Sequence, residues 1–159
     1  MRLQIAALDE LRLSGDAGYV ETARTLPRPM CRFYQDFCRL PDHAGEAPNF
    51  GVFLDYIQGL DDGLPSSDEL DQAPELCRWA SVRRPITSLC SLTGYAIGHP
   101  IFDWGTPVVT STVFRIDSEM KWARTWSRFY LLTDHDPTTF GKMRAEGLVN
   151  PGVELIAFD

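Results

Sequence analysis

The stretch Trp122-Ala123-Arg124-Thr125-Trp126-Ser127-Arg128-Phe129-Tyr130-Leu131-Leu132 can be read at two periods, and the choice decides the fold. At helical spacing, Trp122, Trp126, Phe129 and Tyr130 fall at i, i+4, i+7 and i+8 and would form one apolar stripe. At strand spacing, Trp122, Arg124, Trp126, Arg128 and Tyr130 share one face, with Ala123, Thr125, Ser127, Phe129 and Leu131 on the other. Aromatic and β-branched residues favour strands, and Asp117-Ser118-Glu119-Met120 just upstream reads as a hairpin turn. The strand reading is therefore adopted.

Working outward, residues 108–116 are rich in β-branched side chains and residues 87–97 in Thr, Ser, Leu and Tyr. With residues 122–132 they give three antiparallel strands, and Asp103-Trp104-Gly105 turns the chain before the middle one. Downstream, Asp136 as N-cap and Pro137 at the first helical position open a helix that runs to Glu146, with Gly147 just past its end. A short strand over 153–158 closes the chain.

Upstream the period changes to helical. Short helices are expected over residues 3–11 and 19–26. Another follows Pro29, where Met30, Phe33, Tyr34, Phe37, Cys38 and Leu40 recur at three- and four-residue spacing. Phe50, Phe53, Leu54, Ile57 and Leu60 make a further helix with Asn49 as its N-cap. The expected fold is one α+β domain over residues 1–159, its N-terminal helices packed on a small antiparallel sheet. Residues 1–80 would be helical and acidic, and residues 81–159 mainly β and neutral.

The charge is distributed unevenly. The chain of 159 residues carries 22 acidic and 15 basic side chains, a net charge of -7. All of the excess lies before residue 81, where 14 acids face 7 bases; residues 81–159 hold 8 of each. An acidic surplus cannot displace counterions from duplex phosphates, so duplex DNA is an unsuitable partner. Residues 55–75 carry Asp55, Asp61, Asp62, Asp68, Glu69, Asp71 and Glu75 without one Lys or Arg. Their Gly and Pro punctuation suggests an exposed loop or short turns rather than one long helix.

Several kinds of chemistry lack a motif in the chain. Phosphate loops, the Gly-x-Ser-x-Gly elbow and paired Cys or His ligand motifs are missing, so neither a metal nor a cofactor is expected. Cys31, Cys38, Cys77 and Cys90 are spaced as buried thiols. No apolar run reaches the roughly 18–20 residues of a membrane span, and no export signal is apparent, so the cytoplasm is the expected compartment.

Three candidate sites remain. The acidic run would serve a partner with a basic surface. The face of Trp122, Arg124, Trp126, Arg128 and Tyr130 would stack bases and neutralise phosphates of single-stranded nucleic acid or a nucleotide, or else form a cation–π lattice packed under another element. His99, between Gly98 and Pro100, is either a catalytic base or a pin that fixes the following turn through a ring nitrogen. Asp134-His135-Asp136 offers metal-ligating side chains, but adjacent residues point apart, and helix capping explains them as well.

Residues 94–132, with Gly98-His99-Pro100, Gly105, Thr110-Ser111 and Trp122-Ala123-Arg124-Thr125 before Ser127-Arg128-Phe129-Tyr130, resemble small uncharacterised bacterial proteins often found on mobile elements. The resemblance implies no activity, and it singles out Gly98, His99, Thr110, Ser111, Arg124, Ser127 and Arg128. The reading as a whole is a non-catalytic inhibitor, such as an anti-CRISPR or a toxin-immunity protein, that masks a basic partner with its acidic run. Single-stranded nucleic-acid or nucleotide binding is the alternative, and an enzyme centred on His99 is third.

Overall fold

A computed structural model describes residues 33, 34, 37, 50–84 and 89–156. The helices expected over 3–11 and 19–26, Asn49 as a cap, and the thiols Cys31 and Cys38 lie outside the described residues. The rest fall into two compact units that divide between Gly63 and Leu64. The sequence placed the change of character near residue 80; it comes earlier because residues 75–83 belong to the sheet.

In the first unit, helix α1 (Phe50–Asp62) forms where the apolar spacing predicts it. Phe53, Leu54, Ile57 and Leu60 are buried along one stripe, and Phe33, Tyr34 and Phe37 are helical and buried too. Phe53 meets Tyr34 edge-on at 5.0 Å between ring centroids and Phe37 at 5.4 Å, separations favourable for aromatic pairs.

The second unit opens with helix α2 (Ser67–Asp71), held by a reciprocal cap in which Ser66 and Glu69 satisfy each other's backbone N–H groups. Six strands follow in one sheet: β1 (Glu75–Arg83), β2 (Cys90–Ile97), β3 (Thr106–Val109), β4 (Val113–Ile116), β5 (Trp122–Thr125) and β6 (Phe129–Leu132). Helix α3 (Thr138–Ala145) and the short β7 (Glu154–Leu155) complete the described chain. The order is β3-β2-β1-β6-β5-β4, with β7 also on β1. The class is α+β, but the small antiparallel sheet is corrected to a seven-stranded mixed one, because β1 and β6 run parallel. Helix α3, from the C-terminal end, packs its apolar side on that sheet, and α2 also lies against β6.

Two strand readings are corrected as well. Residues 108–116 and 122–132 are each divided, by residues 110–112 and by a turn at 126–128. β1 begins at Glu75, the last residue of the acidic run, and the sequence pattern indicates no strand over the residues that follow. Its alternation is broken by a bulge between Cys77 and Ala80, where Arg78 takes a φ of 50° and lets Leu76 and Trp79 face the same way.

The connection between β3 and β4 determines how the sheet curves. These strands lie at opposite edges of the six-strand path, yet only residues 110–112 join them. A flat sheet would separate its edges by about 24 Å, whereas so short a link reaches about 14 Å. The sheet must therefore roll until its edges approach. The link touches both sides: the Thr110 N–H donates to the Leu92 carbonyl at 2.8 Å, and the Trp126 N–H donates to the Thr112 carbonyl at 2.8 Å.

Inside the roll, β1, β2, β3, β5 and β6 contribute buried residues such as Leu76, Trp79, Leu92, Val108, Ala123 and Tyr130, while Val113 and Ile116 of β4 pack against them. On the outer face Ala80 and Val82 are covered by Phe140 and Met143 of α3. That helix starts one residue later than its sequence indicates, with Pro137 at the N-cap, while the Asp136 carboxylate accepts from the Thr138 N–H, and Gly147 lies just beyond it at a φ of 72°. Among the described residues, no helix is long and apolar enough to cross a membrane.

Candidate functional site

The seven acids do not form one exposed loop. Asp55, Asp61 and Asp62 lie on α1 in the first unit, Asp68, Glu69 and Asp71 on α2, and Glu75 starts β1. The helix expected through Phe50 and Leu60 carries Asp55 and extends to Asp62, and a second, short helix follows Gly63 and Pro65. Asp61 is buried, against expectation. Glu69 acts as a capping group: its carboxylate accepts from the Ser66 N–H at 2.9 Å and from the Ser66 hydroxyl at 3.0 Å. Those bonds hold it below the ordinary carboxylate range, and Arg124 adds to the effect. Asp68, Asp71 and Glu75 remain as exposed carboxylates of the second unit.

The Arg–aromatic ladder is divided by the turn at 126–128. Across the β5–β6 hairpin, Trp122 pairs with Leu131, Ala123 with Tyr130 and Arg124 with Phe129. Ala123 and Tyr130 face the interior of the roll, so Trp122, Arg124 and Phe129 occupy the outer face. There the Arg124 guanidinium lies 4.6 Å from the centre of the Phe129 ring, Trp122 meets Phe129 edge-on at 5.7 Å, and Arg115 of β4 lies 5.9 Å over Trp122. Trp122 is only 8% exposed, and the Trp126 ring packs against Phe114. These contacts pack the rings and guanidinium groups against one another as a cation–π lattice.

Tyr130 and Arg128 are placed differently. β6 runs parallel to β1 and β2 antiparallel to it, with Glu75 level with both Leu131 and Ile97. The segment leading into β6 and the segment leaving β2 therefore emerge at the same end of the roll. His99 and Tyr130 meet there, their rings near parallel with centroids 6.2 Å apart. Phe102 stacks on His99 at 4.5 Å and is exposed to solvent. The loop of residues 98–105 that carries these rings turns at Gly98 and Gly105, whose φ values of 68° and 75° favour glycine.

His99 is the pin rather than the base. The Ile101 N–H donates to its Nδ1 at 3.1 Å, so in the neutral ring the proton sits on Nε2. A triad-type base needs Nδ1–H directed at a carboxylate and Nε2 free to accept, the reverse of this tautomer. Burial lowers the imidazole pKa, and Arg128 lowers it further, favouring the neutral ring. Burial raises the Tyr130 phenol, with Arg128 opposing. Both groups thus sense the Arg128 charge.

A hydroxyl network adjoins the turn. The Ser111 and Ser127 hydroxyls are 3.1 Å apart, the Ser127 N–H donates to Ser111 Oγ at 3.2 Å, and the Thr125 hydroxyl donates to the Arg128 carbonyl at 2.9 Å. Ser111, Ser127 and Arg128, three positions marked by the sequence resemblance, thereby meet at one turn. Sequence reasoning missed Phe102. The available signal was an apolar run, Ile101-Phe102 with Trp104, inside a glycine-bounded turn; Ile101 and Trp104 are 75% and 78% exposed.

The Asp134-His135-Asp136 stretch is structural. His135 packs on Trp79 at 4.5 Å, and Asp136 accepts from the Thr138 N–H at the start of α3 while pairing with Arg78 at 3.0 Å. Among the described residues, no group of three or more His, Cys, Asp or Glu side chains is placed to hold a metal ion. Cys77 and Cys90 are free, half-buried thiols.

Residues 49–142 match a family of unknown function (DUF6634). No curated protein and no solved structure matches the chain.

Proposed function

The chain belongs to that family of unknown function, whose match spans more than half of it, and from this premise we propose that it is a non-catalytic interaction protein that masks the basic surface of a partner protein. The observation that carries the reading is that Asp68 and Asp71 of α2 and Glu75 at the start of β1 are all exposed carboxylates within one stretch of eight residues. No basic residue interrupts it before Arg78, whose guanidinium pairs with Asp136. The capping box fixes the short helix that presents two of these acids, so their spacing is set before a partner arrives. An inhibitor such as an anti-CRISPR, or an immunity protein against a basic toxin, is the kind of molecule this surface suits.

Charge of this kind speeds association more than it tightens the complex. The test is capture of the partner from the native host, then stopped-flow association at low and high salt. The expected result is an on-rate that falls steeply with salt, and a shallower fall with Asp68→Asn, Asp71→Asn and Glu75→Gln combined. Identical rates for the triple variant and the parent at low salt would remove the proposal.

A further inference from the structure

We propose a second site, apart from the acidic stretch: Arg128, Tyr130 and His99 at the rim of the rolled sheet bind a small phosphate monoester that carries a flat ring.

The inference rests on accounting for hydrogen bonds. A half-buried guanidinium ordinarily finds acceptors, because a buried donor left unpaired costs desolvation without return. Arg124, on the same hairpin, has the Phe129 face and the nearby Glu69 charge. Among the described residues, the Arg128 guanidinium has neither a hydrogen bond nor an ion pair. The Tyr130 hydroxyl and His99 Nε2 have no hydrogen-bond partner there either. Neither atom is among those sealed from solvent without a partner, although both residues are largely buried, His99 at 9% and Tyr130 at 4% exposure.

The chemistry of the three groups agrees. Arginine can only donate, and Tyr130 has its hydroxyl proton to offer. His99 is committed to donating through Nε2 because Nδ1 is occupied by the Ile101 N–H. A set of donors around an unneutralised positive charge calls for an oxyanion, and a guanidinium fork fits one with two hydrogen bonds. Three donor side chains suit the three terminal oxygens of a phosphate monoester better than the two of a carboxylate. The ring follows from Phe102, which covers the His99 imidazole on one side and leaves exposed surface on which a flat group can stack.

The turn supports the guanidinium from below. Arg128 is tied at its backbone by the Thr125 hydroxyl, which donates to its carbonyl and accepts from its N–H at 3.3 Å. The base of this arginine is therefore held even though its head is unpaired. That is the arrangement expected of a preorganised ligand contact.

The experiment is calorimetric titration of the full chain with AMP, inorganic phosphate and acetate, with the His99 ring followed by NMR. Saturable binding in the order AMP, phosphate, acetate, with a shift of the Nε2 resonance, is expected. Arg128→Ala should weaken AMP binding at least about tenfold, as loss of a charged hydrogen bond does. Tyr130→Phe keeps the buried ring and should weaken it by a few-fold, roughly the worth of one neutral bond. Phe102→Ala should bring AMP down to the affinity of phosphate alone. Arg124→Ala should leave AMP binding unchanged. The proposal is overturned by no binding of AMP or phosphate at millimolar concentration, by acetate binding as well as phosphate, or by equal losses from Arg124→Ala and Arg128→Ala in variants whose circular dichroism matches the parent.

Discussion

Arg124 and Arg128 sit on one β-hairpin, four residues apart, in contrasting surroundings. The first rests over the Phe129 ring with the Glu69 charge within reach, among the ring contacts that link Trp122, Phe129 and Arg115. The second stands at the rim beside two other donors and has no acceptor among the described residues. One arginine is used up by the fold and the other is left over. Residue type is therefore a poor guide to function on this sheet, and the presence or absence of a partner is a better one.

The largest expected effect sets the scale for a fully committed side chain. Trp79→Ala empties the centre of the roll, where the indole is completely buried, and should cost about 3–5 kcal/mol in urea unfolding. A loss below about 1 kcal/mol would mean that the interior is not closed around it.

Asp136 comes next, as a charge wholly engaged by the fold. The hydroxyls of Thr138 and Thr139 and the guanidinium of Arg78 hold its carboxyl well below the usual carboxylate range. Its contribution is thus present above the unfolded value of about 3.9 and is lost as the pH falls toward the depressed folded value. Asp136→Asn should lower the thermal midpoint near neutral pH, and the two proteins should converge in strong acid. A gap that widened on acidification would reverse the assignment.

Arg124→Ala should cost about 1–2 kcal/mol, the range for a partly desolvated cation–π contact. Arg128→Ala should change stability by no more than about 0.5 kcal/mol in either direction. The order of these last two is the sharpest test of the contrast. If Arg128→Ala proved the more damaging in denaturant titration, the rim would be part of the framework and the contrast would fail.

What was legible in the sequence follows the physics of each element. Phe53, Leu54, Ile57 and Leu60 marked α1 because a buried stripe needs that spacing, and Asp136-Pro137 marked α3 because its first turn needs an acceptor and tolerates a missing N–H. β1 was hidden because the bulge at Arg78 breaks the alternation that reveals strands. The turn at 126–128 was hidden because it contains no Gly, Pro or Asn. Its backbone is satisfied instead by Thr125, whose N–H and hydroxyl both reach the Arg128 carbonyl at 2.9 Å.

Missing that turn led directly to the continuous ladder, since one uninterrupted strand puts all five residues on one face. Tyr130, Arg128 and His99 were within the candidate set, but only the register of β1 with both β2 and β6 brings them to the same end.

The parallel contact between β1 and β6 has a consequence for how the chain assembles. β1–β2–β3 and β4–β5–β6 are each built from neighbours in sequence and can form early and independently. The seam that joins them rests on Glu75 with Leu131, Leu76 with Leu132, and the isolated bridge from Trp79 to His135. Distant pairings of this kind bear the loop-closure cost and are slow to form. Zipping that seam is the step expected to limit the folding rate. Once it is formed, both sides of β1 are hydrogen-bonded over much of its length, and the central strand of the sheet is no longer open to pairing with another molecule.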